Sequence, residues 1–318
     1  MRILSSDITL LHGRTTGIAA LPDEATDQPL LVFVHGGGAT SRSFDIPGHS
    51  QILRAARNGF PAYALDRPGY GGSEPLGLPD DSDTGVLRAA AERLDQAVTE
   101  LWQRHATTAP GVVVIGCSIG GAVATHLAAL WSDQERPCWP LLGLAVVDIG
   151  QLPPENVVDA WRSTPAEERI DMSELRGRIT APPLWTLAPH QFGLHSLPGV
   201  LEPVVRAEGL EIVGGWPREW RHVASRITVP VHYRLGEFDT LWTARPGLVA
   251  EFADALRTRS PSVDAALFPG SAHGVADSVV GREYCLQVLG FAERCAAVVS
   301  TPQLLDPAVT NNPATRGT

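Results

Sequence analysis

The stretch Val112-Val113-Val114-Ile115-Gly116-Cys117-Ser118-Ile119-Gly120-Gly121 decides how this chain is read. Its first four residues are all β-branched and apolar, as a strand buried on both faces should be. An alanine-rich helical pattern follows at once, over residues 119–131. Where strand hands over to helix, Gly-x-Ser-x-Gly sets a serine at the apex of a sharp turn, the position of a nucleophile elbow. Such a serine is held in a strained backbone conformation, and the residues two before and two after it must be small if strand and helix are to approach. Gly116, Gly120 and Gly121 meet that need. The turn also puts the Ser118 hydroxyl at the positive end of the helix and leaves the Ile119 N–H to bind a developing oxyanion. An unrelated glycine-rich turn would satisfy the same spacing, so the other motifs have to agree with it.

Working outward, short apolar runs recur at 30–34, 62–65, 142–147, 231–235 and 263–268, beside that at 112–115. Helical patterns at 50–57, 83–105, 119–131, 248–257 and 282–299 alternate with them. That alternation predicts an α/β fold, a mostly parallel sheet covered on both faces. In the second helix Val86, Leu87, Ala90, Leu94, Ala97, Val98 and Leu101 form one stripe, read as core packing. The rhythm breaks after Asp148 and resumes at Val229, and the intervening residues are rich in Pro, Trp and His. An interval of about eighty residues is too long for a simple connection, so residues 152–225 are expected to form a cap or lid. The core then comprises residues 1–151 and 226–300, and the polar tail 301–318 is expected to be disordered.

A second strand ends in glycines at Leu31-Val32-Phe33-Val34-His35-Gly36-Gly37-Gly38. A glycine loop lets backbone approach a substrate where side chains would collide, so Gly37 or Gly38 is expected to offer a second N–H to the oxyanion. His35 is read as holding that loop, and no phosphate-binding motif is completed there. A serine hydroxyl needs a base. Of ten histidines, His273 lies in Pro269-Gly270-Ser271-Ala272-His273-Gly274, past the last predicted strand and so at the same sheet edge as Ser118. His12, His49, His105, His126 and His222 read as surface or packing residues. The base in turn needs an anion to fix its tautomer. Asp239, after the strand 231–235, follows the order serine, acid, base. Asp148, at the end of the preceding strand, is an alternative acid, and Glu237 is a third.

Composition limits the alternatives. The chain has 318 residues, 44% hydrophobic and 19% charged, enough for one large domain with an insertion. A net charge of −10 argues against a nucleic-acid partner. All 25 basic residues are arginines, which removes a P-loop lysine and Schiff-base chemistry. Cys117, Cys138, Cys285 and Cys295 show neither metal-ligand spacing nor a disulfide framework, so no metal is expected and a reducing cytoplasm fits. The first eleven residues lack a secretory signal pattern, and no apolar run is long enough to span a membrane. The oligomeric state is not legible.

His35-Gly36-Gly37-Gly38, Asp66-Arg67-Pro68-Gly69-Tyr70-Gly71-Gly72-Ser73, Gly116-Cys117-Ser118-Ile119-Gly120-Gly121, Gly236-Glu237-Phe238-Asp239 and Gly270-Ser271-Ala272-His273 together resemble the α/β-hydrolase superfamily. The resemblance implies a mainly parallel eight-stranded sheet flanked by helices, with a helical cap inserted after the sixth strand. It also implies two-step covalent catalysis with no metal or organic cofactor. Serine at the elbow separates the chain from members that open epoxides or displace halide with aspartate. Cys117 is a departure, since many members carry histidine or another residue there. The segment 66–73 is read as shaping a turn near the site. The expected activity is hydrolysis of an ester-type bond in a small to medium, partly apolar substrate. A thioesterase or acyltransferase, a biosynthetic enzyme cleaving carbon–carbon bonds, a lyase or an isomerase, and a ligand-binding receptor stand as alternatives. Trp161, Trp185, His190, Phe192, His195, Trp216 and Trp220 either face the substrate or pack the cap onto the core.

Overall fold

The computed structural model describes residues 3–78, 85–171 and 197–300. Its strands are β1 (Ser6–Leu10), β2 (Thr15–Ala20), β3 (Leu30–Val34), β4 (Ala62–Leu65), β5 (Val112–Cys117), β6 (Leu141–Val147), β7 (Arg169–Ile170), β8 (Val204–Val205), β9 (Val231–Gly236) and β10 (Val263–Phe268). Its helices are α1 (Gln51–Arg57), α2 (Val86–His105), α3 (Ile119–Ser132), α4 (Glu155–Arg162), α5 (Arg206–Gly214), α6 (Trp216–Ala224), α7 (Pro246–Leu256) and α8 (Gly281–Ser300). Eight strands make one sheet in the order β1-β2-β4-β3-β5-β6-β9-β10. The pairs β1/β2 and β2/β4 are antiparallel and all the others parallel. All six apolar runs read from the sequence are strands of this sheet. The antiparallel edge formed by β1 and β2 gave no such run, because β1 is largely exposed and carries Ser6, Asp7 and Thr9.

Alternate residues of each parallel strand feed opposite faces. Val112 and Val114 join the core beneath α2, α3 and α7, while Val113 and Ile115 join the core beneath α1 and α8. After β3 the chain places β4 on one side and later returns to lay β5 on the other. The carboxyl ends of β3 and β5 therefore flank a point where the winding reverses, which is where open α/β sheets form their crevice.

The insertion after β6 is fastened to the core at several points. Ala39 pairs with Leu201, and the Glu202 N–H reaches the Gly38 carbonyl at 3.1 Å. Gly85 has no side chain to cap α2, and the Glu211 carboxylate from α5 accepts the Val86 N–H at 2.5 Å in its place. Trp161, Trp216 and Trp220 are buried within the main core, and the Trp216 indole N–H reaches the Gly150 carbonyl at 2.7 Å. Trp216 and Trp220 meet Phe252 of α7, and Trp161 lies against Gly209 of α5. Trp185, His190, Phe192 and His195 lie outside the described residues, as does the tail 301–318. Among the described residues no helix is long and apolar enough to cross a membrane.

The elbow depends on two close approaches. A Cβ on Gly120 would stand 2.3 Å from the carbonyl oxygens of Val34 and His35, and one on Gly116 would stand 2.5 Å from the Gly120 oxygen. Both obstacles are backbone, which cannot rotate aside. Gly120→Ala is therefore expected to destabilise the fold by about 3 kcal/mol or more. A thermal melt should show a midpoint lower by roughly 5 °C or more, and an unchanged midpoint would contradict this packing.

Candidate active site

Ser118 sits between β5 and α3 with φ 53° and ψ −125°, a left-handed conformation costly for a residue with a Cβ. It persists because both flanks are fastened. The Ser118 N–H donates to the Val147 carbonyl at 2.9 Å, and its own carbonyl accepts the Gly121 N–H at 2.7 Å. The helix behind it supplies the positive end of a dipole.

His273 arrives from the loop after β10. Its Nε2 lies 3.1 Å from the Ser118 Oγ, and its Nδ1 lies 2.8 Å from the Asp239 Oδ2. The Asp239 side chain is fully buried, and its other oxygen accepts the N–H groups of Leu241 at 2.8 Å and Trp242 at 3.0 Å. Three donors thus converge on one carboxylate, and the anion is held without freedom to rotate. The loop comes so close to β9 that a Cβ on Gly236 would stand 2.3 Å from the Ala272 oxygen. Glu237 is turned away, accepting the Gly270 N–H at 3.0 Å on the exposed side.

The glycine loop after β3 runs across the front of Ser118. A Cβ on Gly36 would stand 3.1 Å from the Ser118 Cβ, and one on Gly37 would stand 2.7 Å from the Ile119 Cδ1. Gly38 is in a left-handed turn at φ 69°, with its carbonyl committed to Glu202. His35 holds the loop from within. Its Nε2 accepts the Arg67 N–H at 3.0 Å, so Nδ1 carries the proton and donates to the Gly36 carbonyl at 2.9 Å. Burial and the Arg67 charge push its pKa well below the usual range, which keeps the ring neutral.

The family model described as the alpha/beta hydrolase family matches residues 31–282, most of the chain. The chain belongs to the alpha/beta hydrolase family. Solved structures agree on the fold. A carboxyl esterase from Bacillus coagulans is similar with a TM-score of 0.66 at 18% identity, covering 93% of this chain and 99% of that one. A monoacylglycerol lipase from Paleococcus ferrophilus gives 0.59 at 18% identity, covering 93% and 100%. An E-2-(acetamidomethylene)succinate hydrolase gives 0.56 at 19% identity, covering 92% and 99%. No curated protein sequence matches the chain.

In this alpha/beta hydrolase the alternative acid, Asp148, is placed beside the same histidine but is differently employed. It sits at φ 58° just past β6 and is fully buried. Its Oδ2 accepts the Val275 N–H at 3.0 Å and faces the Cys117 thiol at 3.7 Å, while its Oδ1 has no hydrogen-bond partner among the described residues. Burial and the Asp148 charge push the Cys117 pKa well up, so this neighbour of the elbow stays a thiol. Ligand atoms of Asp148, Asp239 and His273 lie within 4.8 Å of one another, a set that could offer itself to a metal ion. Two of those residues are already joined by the His273–Asp239 hydrogen bond.

Burial first, and then the charges of Asp239 and Asp277, push the Asp148 pKa up to about 7, against the opposing pull of His273 and the Val275 N–H. The folded chain therefore keeps a proton that the unfolded chain releases near pH 4, and stability from this group falls as pH rises from about 4 to 7. Asp148→Asn keeps the acceptor for Val275 but cannot ionise. Its melting temperature relative to the parent is expected to climb between pH 4 and pH 8, by roughly 5 °C, and parallel pH curves would refute the assignment.

Sequence reading missed a second group. Arg67, read as part of a turn, is a buried cation paired with Glu208 of α5, and the Tyr70 hydroxyl donates to the same carboxylate at 2.7 Å. A buried charge requires a partner, but Arg67 stands in a polar, glycine-rich turn beside Asp66, and nothing in the sequence pointed to a glutamate 141 residues away.

Proposed function

We propose that this protein is a serine hydrolase that cleaves an ester-type bond of a small to medium, partly apolar substrate through an acyl-enzyme. The observation that carries the reading is the continuous hydrogen-bonded chain from the Ser118 Oγ through His273 to Asp239. In this reading His273 takes the Ser118 proton as Oγ attacks the carbonyl carbon, and Asp239 stabilises the imidazolium that forms. The N–H groups of Ile119 and Gly37 hold the negative charge on the carbonyl oxygen. Gly37 is preferred to Gly38 because its backbone lies against Ile119, whereas Gly38 is turned towards Glu202. His273 then returns the proton to the leaving oxygen, and a water deprotonated by the same nitrogen releases the acid. Residues 152–225 act as the cap that shapes the acyl pocket, with Val204 facing the Gly37 backbone.

Mass spectrometry of the protein mixed with a panel of esters, thioesters and lactones tests the whole reading. A mass increase equal to one acyl group, located on Ser118 and lost on standing in water, is expected. Adducts with thioesters alone would move the assignment to a thioesterase. No adduct with any of them, together with no ester turnover, would overturn it.

A further inference from the structure

Arg67 meets the glycine loop at two carbonyls. Its Nε donates to the His35 carbonyl at 2.9 Å and its Nη2 donates to the Gly36 carbonyl at 3.1 Å, where the His35 Nδ1–H also arrives. The Gly36 carbonyl and the Gly37 N–H belong to one peptide unit. That unit is planar and trans, so its N–H points opposite to its C=O, and fixing one fixes the other. Hydrogen bonds to the carbonyl from a cation also draw electron density from the amide and make its N–H a stronger donor. We propose that Arg67, held in place by Glu208 and Tyr70, orients and polarises the Gly37 N–H through the peptide it shares with Gly36.

This inference rests on the reading of Gly37 as an oxyanion donor. It makes Arg67 a positioning residue and gives the insertion a part in the chemistry. The guanidinium is buried and permanently charged, and its counter-ion, Glu208, comes from α5. Glu208 is itself fastened by the Tyr70 hydroxyl at 2.7 Å, and that hydroxyl accepts the Val205 N–H at 2.9 Å. The Tyr70 ring lies 4.6 Å from the Arg67 guanidinium carbon. The line from β8 and α5 through Glu208 and Arg67 to the Gly36–Gly37 peptide is therefore unbroken, and every member except the glycines is buried or bonded at both ends. Displacing the insertion would loosen the donor before it touched Ser118 or His273.

The test has to separate positioning from mere support of the fold. Arg67→Met combined with Glu208→Met removes both charges together, a change that buried pairs commonly tolerate. The double variant is expected to melt near the parent yet turn over p-nitrophenyl butyrate with kcat lower by about 10- to 100-fold and KM within about threefold. Its affinity for a trifluoromethyl ketone that adds to the Ser118 oxygen should fall by the same factor as kcat/KM. Tyr70→Phe keeps both charges and the ring, and should lower kcat by about three- to tenfold. A stable double variant with the parent's kcat overturns the inference, as does a loss of kcat with no loss of ketone affinity. Should the double variant not fold, an unchanged kcat and ketone affinity in Tyr70→Phe overturns it. A parent protein that neither hydrolyses the ester nor reacts with a fluorophosphonate overturns the serine-hydrolase reading and the inference with it, a result distinct from an active parent with unaffected variants.

Discussion

Ser118→Ala is expected to slow hydrolysis of a p-nitrophenyl ester by at least about 10⁴-fold while leaving the thermal melt essentially where it was. The size of the loss follows from what one atom does. Without Oγ there is no nucleophile, and His273 has no proton to take, so the acid and the oxyanion donors act only on unassisted water. The fold should survive because, among the described residues, the hydroxyl's hydrogen-bond partner is the His273 Nε2 at 3.1 Å, a contact that holds no element of the fold together. The backbone at φ 53° is strained for alanine as it is for serine. Labelling by a fluorophosphonate should vanish in parallel. Near-native turnover in the variant would mean that another group attacks and that the proposed mechanism is wrong.

Asp239→Asn is expected to lower kcat by about 10³- to 10⁴-fold, and Asp148→Asn by no more than about tenfold. The two carboxyls are neighbours, so the contrast is a sharp one. Asp239 bonds the His273 Nδ1, at 2.8 Å, and an amide at that position can present an N–H to the ring and turn it to the unproductive tautomer. Asp148 spends its bonded oxygen on the Val275 N–H, which asparagine satisfies equally. Its raised pKa, about 7, also leaves it half protonated near neutrality and a poor counter-ion for an imidazolium. Steady-state kinetics on both variants across pH 5–9 decides between them. A large loss in Asp148→Asn with a small one in Asp239→Asn would exchange their roles.

The parallel strands were legible because a strand covered on both faces must be apolar at every position, and that leaves a continuous run such as Val112 to Ile115. The edge formed by β1 and β2 was not, since residues such as Ser6 and Asp7 face water and break the pattern. Ser118, Asp239 and His273 could be singled out because each follows a strand at the same rim of the sheet, and the structure brings the three together. Chain order put Asp239 ahead of Asp148, but the sequence carried no geometry to separate them. Both follow neighbouring strands, and only the path of the loop from Gly270 to Val275 decides which oxygen meets the ring and which meets a backbone N–H. The left-handed turn at Gly38, likewise, is a backbone rotation that the sequence does not spell out. Arg67 and Glu208 stayed hidden because charge pairing across the fold has no periodicity to read.

The Glu211 carboxylate that closes the first turn of α2 sets a boundary for anyone wishing to retarget this catalyst by exchanging its insertion with that of a relative. A graft that replaced all of residues 152–225 would strip the amide groups at the start of a twenty-residue helix of their acceptor and take the indole of Trp216 from the Gly150 carbonyl. Chimeras joined nearer to residues 171 and 197 keep both, and are expected to leave α2 and the contacts beneath it intact.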